Sequence, residues 1–409
     1  MKKINQINEQ QTKIIQEILT LRYSKNWHNS HYSLSSNDFT QDTSINNPEK
    51  FIEDSIQREI REKIDINQKN VGIALSSGID STLVLALTRK EFPSINIETI
   101  SVKFSNSVDE TSASKKISNI FETNHHVLEI ENFLEDLPSA ISIIKMPFWD
   151  THWYHLCKTM KNFSKIFLSG DGGDELFGGY TFRYKKFLEN TKDTSTTQQK
   201  ILTYLNCHER DWVPDQELIF TKNMNFSWDK IYDILKPFFD NNLHRLQQVF
   251  LADYHGKLSH NMIPMYDLIQ QHFKIKNISP IQNEQLIKFS AQLPLNLKYD
   301  LQSNNGKIIL QSILKKYNVS NLLATKKQGF SVDTVNLWKS YGRKFFDYYF
   351  DKSRLIESGL INPDWIESNL SRNELNVRYV NKFLGLLATE IWYRIFISKE
   401  MNESEKLLI

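Results

Sequence analysis

Cysteine is almost missing: the 409 residues hold two, Cys157 and Cys207, far apart and in no CxxC pair. That excludes a disulfide scaffold and a cysteine zinc site, and fits a reducing compartment. An excess of one charge is missing too. Fifty basic against 48 acidic side chains leave a formal net charge of +2, without the electrostatic footprint of a dedicated nucleic-acid or anionic-membrane binder. Long apolar runs are absent; the best stretch, Phe383 to Ile397, is interrupted by Thr389, Glu390 and Arg394, so no membrane span is expected. The opening Met1-Lys2-Lys3-Ile4-Asn5-Gln6 is polar and shows no secretory signal. The expectation is a soluble cytoplasmic protein without nucleic-acid or membrane partners. Apolar residues at 40% and aromatics at 12% supply a packed core, and the length suits two or three domains or one large core with appendages.

Residues 1–50 read as an N-terminal extension: Ile14 to Leu21 has helical spacing, and 24–49 is rich in Ser, Asn, Asp and Thr, as a linker or flap would be. Phe51 to Ile64 reads as a helix. The rhythm then changes. Val71 to Leu75 is a short uncharged apolar run, as a strand buried on both faces should be. Asp80 to Phe92 follows as a helix, Ile95 to Phe104 as a strand, Asp109 to Phe121 as a helix and His126 to Ile130 as a strand. Two helical stretches then lead to the strand Lys165 to Leu168. This alternation predicts an α/β fold with a doubly wound parallel sheet over residues 51–185. Beyond about residue 180 strand signals fade, and 186–400 reads as a mainly helical continuation, with 401–409 a polar tail.

Two turns carry the chemistry. The first, Leu75-Ser76-Ser77-Gly78-Ile79-Asp80-Ser81-Thr82, lies between a strand and a helix. Its small residues let backbone N–H groups approach phosphate oxygens, the hydroxyls of Ser76, Ser81 and Thr82 can donate, and Asp80 can hold Mg²⁺. The same octapeptide is also compatible with a simple helix N-cap. It is no Walker A loop, because no Gly-Lys-Ser/Thr follows. The second turn, Ser169-Gly170-Asp171-Gly172-Gly173-Asp174-Glu175-Leu176-Phe177-Gly178-Gly179-Tyr180, also follows a buried strand. It concentrates five glycines and three carboxylates in twelve residues. Clustered carboxylates repel unless a cation or a catalytic duty holds them. A dinucleotide fingerprint is excluded, since Glu175 stands where the third glycine belongs.

The pair resembles the PP-loop ATP pyrophosphatase fold (adenine nucleotide alpha hydrolase-like), and within it the synthetase domain of the asparagine synthetase family. The family's first loop reads Ser-Gly-Gly-x-Asp-Ser, and Ser77 stands here in place of the first glycine. The second signature, Ser-Gly-x-Gly-x-Asp-Glu-Leu-Phe-x-Gly-Tyr, is met throughout Ser169 to Tyr180. Val102-Lys103-Phe104 with Asp109-Glu110, the pair His125-His126, and Lys326-Lys327-Gln328-Gly329-Phe330 are weaker echoes in the expected order. The likeness spans about residues 51–400 and ends in Glu390-Ile391-Trp392-Tyr393-Arg394.

The resemblance implies an ATP-dependent, AMP-forming amide ligase that adenylates a carboxylate, releases pyrophosphate and transfers ammonia or an amine. It implies that Ser76, Ser77, Gly78 and Ser81 grip the pyrophosphate, with Ser169 in the facing turn. Leu75, Val102 and Gly170 line the adenine and ribose pocket, and Asp80 and Asp174 hold Mg²⁺ on the phosphates. Lys327 is the candidate cation for adenylation, with Lys307 a weaker one. Asp171 stands where asparagine-forming members typically carry Glu, as a candidate base or a carboxylate capping the next helix.

Two departures mark this chain. Full-length members begin with a glutaminase domain whose nucleophile is an N-terminal cysteine, whereas here the chain starts Met1-Lys2 and both cysteines are internal. No glutamine hydrolysis of its own is expected; ammonia comes from solution or a separate glutaminase subunit, or the nucleophile is another amine. The family's Asp-Arg-x-Ser-Met and Glu-x-Arg segments are also altered. Aligned on Pro280, Asp267 is kept, but Leu268, Gln270, Gln271, Lys276, Ile278 and Ile281-Gln282-Asn283 replace the rest. The acid is therefore open: aspartate, a sugar acid, a peptide or a lactam precursor. His255, His260 and His272 are not at metal-ligand spacing. A non-catalytic nucleotide-binding scaffold and a tRNA-modifying PP-loop enzyme are the alternatives. The latter usually brings a basic surface and catalytic cysteines or a zinc ribbon, which are missing here.

Overall fold

The computed structural model describes residues 7–27, 32–40, 46–65, 67–104, 109, 111–324, 332–372 and 374–407. Helix α1 (Glu9–Leu21) starts in a capping box in which Asn8 and Gln11 exchange side-chain and backbone hydrogen bonds. Helix α2 (Pro48–Lys63) has proline at its first position and buries Ile52, Ile56 and Ile60. Then come β1 (Asn70–Ala74), α3 (Ile79–Glu91), β2 (Asn96–Phe104), α4 (Thr111–Ile120) and β3 (Asn124–Ile130). Helices α5 (Leu137–Ile144) and α6 (His152–Met160) lead to β4 (Ile166–Leu168) and α7 (Gly173–Phe177), followed by α8 (Thr181–Asn190) and α9 (Thr197–Cys207).

The main sheet is parallel throughout, in the order β3-β2-β1-β4-β5. Strand β1 is central. Its Val71 and Ile73 are fully buried because helices cover both faces, which is why the segment carries no alternation. Strand β3 is an edge and alternates exposure along its length.

The outer strand β5 (Lys276–Ile278) corrects the expectation that strands end near residue 180. Its three residues, Lys-Asn-Ile, carry no periodic signal; pairing with β4 in the register Ile166↔Lys276 to Leu168↔Ile278 makes them a strand. A hairpin of β6 (Tyr299–Asp300) and β7 (Asn305–Gly306) is a second addition.

The rest is helical as expected, and its longest helix, Val377–Phe396, runs through the interior. Phe383, Leu384, Leu387 and Ile391 on it are fully buried. Glu390 is fully buried on the same helix yet satisfied: it accepts from the Ser353 hydroxyl at 2.7 Å and Arg354 N–H at 2.9 Å, and pairs with Arg394 at 2.7 Å. Among the described residues no helix is long and apolar enough to cross a membrane. Helix α1 also lies inside the molecule. Ile15, Ile18 and Leu19 are buried, and the Lys382 ammonium from Val377–Phe396 donates to the Leu19 carbonyl.

Candidate active site

In an open parallel sheet, ligands bind beyond the carboxyl ends of the strands where the strand order reverses. Here the chain moves from β1 outward to β2 and β3, then returns to place β4 on the other side of β1. The crevice between β1 and β4 is that point, and the two glycine-rich turns are the segments that leave these strands.

The first turn is held by its own hydroxyls. Ser76 N–H donates to Ser81 Oγ (3.2 Å), Gly78 N–H to Ser76 Oγ (3.1 Å), and Thr82 Oγ1–H to the Gly78 carbonyl (2.7 Å). The N-cap of α3 is Gly78, with no side-chain capping bond. Asp80 is therefore not spent on the cap and sits in the first turn of α3 facing the crevice. The second turn packs against it. A methyl group on Gly170 would stand 2.6 Å from Ser81 N, and one on Gly173 would strike the Asp80 carboxylate; glycine is what lets the turns touch. The N-cap of α7 is Gly172 at φ +93°.

These constraints bring Asp80 and Asp174 onto one cation. The Lys307 ammonium contacts Asp80 Oδ2 and lies 2.7 Å from Asp174 Oδ1. Lys307 is itself set in the left-handed region (φ 53°) after the β6–β7 hairpin, and its N–H donates to the Phe177 carbonyl at 3.0 Å. Burial works against its charge, but Asp174 and Asp80 outweigh that and raise its pKa well above the ordinary lysine value. Two carboxylates and one ammonium leave this cluster one negative charge in excess. The oxygen donors suit a hard dication, which typically takes one or two carboxylates plus phosphate oxygens and water. No group of three or more His, Cys, Asp or Glu side chains at metal-binding range exists among the described residues, so a dication here would depend on a phosphate ligand.

The other sequence candidates fall as follows. Leu75 is fully buried, its N–H bonded to the Ile100 carbonyl (2.9 Å), and Val102 lies near the end of β2. Ser77 is buried; its carbonyl accepts from Ala324 N–H at 2.9 Å. That bond brings the chain up to the first turn just before 325–331. Lys327, with Lys326 to Phe330, lies outside the described residues, as does Glu110. Ser169 is buried with its hydroxyl 3.0 Å from that of Ser279, beside β5. Asp171 is half-buried and close enough to Tyr266 to raise the phenol's pKa, an effect secondary to burial.

The histidine pair serves the sheet. His125 bonds Thr99 and Ser101 hydroxyls at 2.9 and 3.1 Å, and His126 meets Glu98 at 2.7 Å while stacking on Phe163. His255 donates to the Leu34 carbonyl at 2.5 Å. The retained Asp267 accepts from Asn277 at 2.9 Å.

Sequence reasoning missed a second charged cluster behind the second turn. Arg22 pairs with Asp150 and with Asp211 (3.4 Å), and Lys257 reaches Asp211 at 2.9 Å. No motif links residues so far apart in the chain, and only an arginine at the end of an amphipathic helix hinted at it.

The fold and the facing turns define a parallel α/β protein whose two glycine-rich turns bring Asp80 and Asp174 together at the switch point of its sheet. The chain belongs to the asparagine synthase family, whose model matches residues 52–394. It is 33% identical over 141 residues to a putative glutamine-hydrolyzing asparagine synthetase of Methanocaldococcus jannaschii, covering 33% of this chain and 26% of that protein. To the glutamine-hydrolyzing asparagine synthetase 1 of Bacillus subtilis it is 23% identical over 404 residues, covering 86% of this chain and 61% of that one. The chain thus spans less than two thirds of the length of these relatives. Among solved structures, an NMN synthetase from Francisella tularensis overlaps 52% of this chain and 95% of its own at 12% identity and TM-score 0.27, a likeness too slight to argue from.

Proposed function

We propose that the protein is an ATP-dependent, AMP-forming amide ligase. The observation that carries this reading is the convergence of Asp80 and Asp174, one from each turn, on Lys307 at the switch point. A carboxylate is a poor electrophile, so amide formation in water needs activation. The substrate carboxylate oxygen attacks the α-phosphorus of ATP, and the bond to the pyrophosphate oxygen breaks. A neutral amine then forms the C–N bond, the C–O bond to AMP breaks with its electron pair on AMP, and the nitrogen sheds a proton.

The chain's part is positioning and charge neutralisation. The first turn offers backbone N–H groups and the Ser76 and Ser81 hydroxyls to the phosphates. Lys307 neutralises charge on them, and the family resemblance adds Lys327 to this role. Mg²⁺ held by Asp80 and Asp174 supplies charge neutralisation on the phosphate oxygens. Asp171 of the second turn takes the proton of the amine.

The amine is ammonia or a small amine rather than glutamine. Both thiols of the chain are buried; burial raises Cys157 well above, and Cys207 to about 12, away from the thiolate a glutaminase requires. The test is exchange of labelled pyrophosphate into ATP with a panel of carboxylates, followed by AMP release with ammonium. ATP binding without AMP formation from any acid, with ammonium or a small amine supplied, would favour the scaffold alternative.

A further inference from the structure

Asp174 turns to Lys307, whereas its neighbour Glu175 accepts from the Tyr180 hydroxyl at 2.5 Å and lines a cavity behind the turn. The space open to water centres there is about 30 Å³, room for one or two small molecules and not for an amino acid. The opposite wall comes from the end of α1, a segment preceding the family match. Tyr23 there is 4% exposed.

The hydroxyl of Tyr23, Oδ2 of Asp253 and Nε of Arg183 are buried and have no hydrogen-bond partner among the described residues. The other oxygen of Asp253 accepts from the Tyr204 hydroxyl at 2.8 Å. A buried polar atom left unsatisfied costs about 1–3 kcal/mol, so three in the lining of one cavity call for a ligand. The lining is acidic by one charge: Glu175, Asp211 and Asp253 stand against Arg183 and Lys257. Asp211 is already held between Arg22 and Lys257, and Arg183 lies over the Tyr180 ring at 4.3 Å with Asp253 the strongest of the charges acting on it. A small monocation that donates to Asp253 Oδ2 and Tyr23 Oη brings the lining to neutrality, and a water beside it can accept from Arg183 Nε.

We infer that this cavity is a pocket for a small protonated amine, and that Tyr23 sets the size of amine it admits. The inference rests on the ligase reading for its use: Glu175, which lines the cavity, is the chain neighbour of Asp174 in the crevice.

Thermal unfolding is followed with ammonium, methylammonium, propylammonium and sodium chloride at equal ionic strength. Ammonium and methylammonium should stabilise saturably where sodium and propylammonium do not. Tyr23→Phe should weaken the apparent ammonium affinity about tenfold, the loss of one bond to a charged ligand. Tyr23→Ala should admit propylammonium, moving the propylammonium-to-ammonium ratio by tenfold or more, and in turnover the ratio of kcat/KM values should move likewise. Where Tyr23→Ala fails to fold, Asp253→Asn replaces it and should abolish ammonium selectivity. Sodium matching ammonium, or an unchanged ratio in the variants that fold, overturns the pocket. AMP formation without ammonium selectivity also overturns the pocket and leaves the ligase reading standing. Ammonium selectivity without AMP formation does the reverse.

Discussion

Two buried charge clusters lie on either side of the second turn and are built from the same residue types. In the crevice, one lysine is shared by Asp80 and Asp174, and the cluster keeps a negative charge in excess. Behind the turn, Arg22 and Lys257 are matched by Asp150 and Asp211 in a balanced set, and the excess charge of the adjoining cavity comes from Glu175 and Asp253 against Arg183. The first sits at the carboxyl ends of β1 and β4, where a polyanion and its dication can enter. The second ties α1 to the loop before α6 and to the segment after α9. A buried ion pair that is internally balanced stabilises by its matching, since removing one partner leaves an uncompensated charge. An unbalanced one is poised for a ligand. Burial of charge does not distinguish a site from a structural tie; the residual charge and the position on the sheet do.

The largest effects should separate the clusters by kind. Asp80→Ala and Asp174→Ala should lower pyrophosphate exchange about 10²–10³-fold or more, with the urea midpoint moved far less. Full exchange in either variant would remove the crevice from the chemistry. Arg22→Ala should do the opposite first, costing about 2–3 kcal/mol of stability, because Asp150 loses its cation while Asp211 keeps Lys257; urea unfolding at neutral pH reads this directly.

Smaller is the effect of the turn contact. Gly173→Ala pushes a methyl onto the Asp80 carboxylate and should cost about 1–3 kcal/mol, with exchange falling in step. Lys307→Met sharpens the comparison further. Without the lysine the two carboxylates should gain from MgCl₂, raising the unfolding temperature of the variant more than that of the parent, whereas the Arg22 variant should show no such gain.

The smallest effect is on pH dependence. His125 and His152 are lowered to about 4, chiefly by burial. The unfolded chain takes up these protons near pH 6.5 while the folded one does not. Their contribution is therefore whole above pH 6.5 and declines as the pH falls towards about 4. Burial alone would raise the Asp211 carboxyl, but Lys257 and Arg22 bring it well below the carboxylate range. Its contribution is present above about pH 4 and is lost as the medium becomes more acidic still. Urea midpoints at pH 7, 5.5 and 4.5 should fall in order. A flat profile would mean that those histidines are protonated in the folded chain.

Much of the α/β half was legible because its strands are continuous apolar runs and its helices begin at small-residue turns. Strand β1, expected at Val71 to Leu75, is found at Asn70–Ala74, and α3, expected from Asp80, starts at Ile79. Strand β5 was not legible, because Lys276-Asn277-Ile278 becomes a strand only through the partner that β4 supplies. The second turn announced itself through glycine density, and the structure gives the reason: Gly170 and Gly173 are pressed against Asp80 and Ser81. Lys307 carried no motif of its own. Its importance comes from a left-handed backbone position after a hairpin, which turns its ammonium onto carboxylates more than a hundred residues away. The charges at Arg22 and Asp211 were invisible as a pair for the same cause: sequence spacing encodes neighbours on one helix or strand, not across the fold.

By itself, then, the order of residues determined the strand–turn–helix units, the two turns and their carboxylates, since each depends on local periodicity and on glycine's freedom from a side chain. Which carboxylates meet, which lysine they share, and that an N-terminal helix walls a cavity beside them were decided only when the sheet assembled. Coulomb attraction and burial act through space, and the chain brings those groups within reach of one another only by folding.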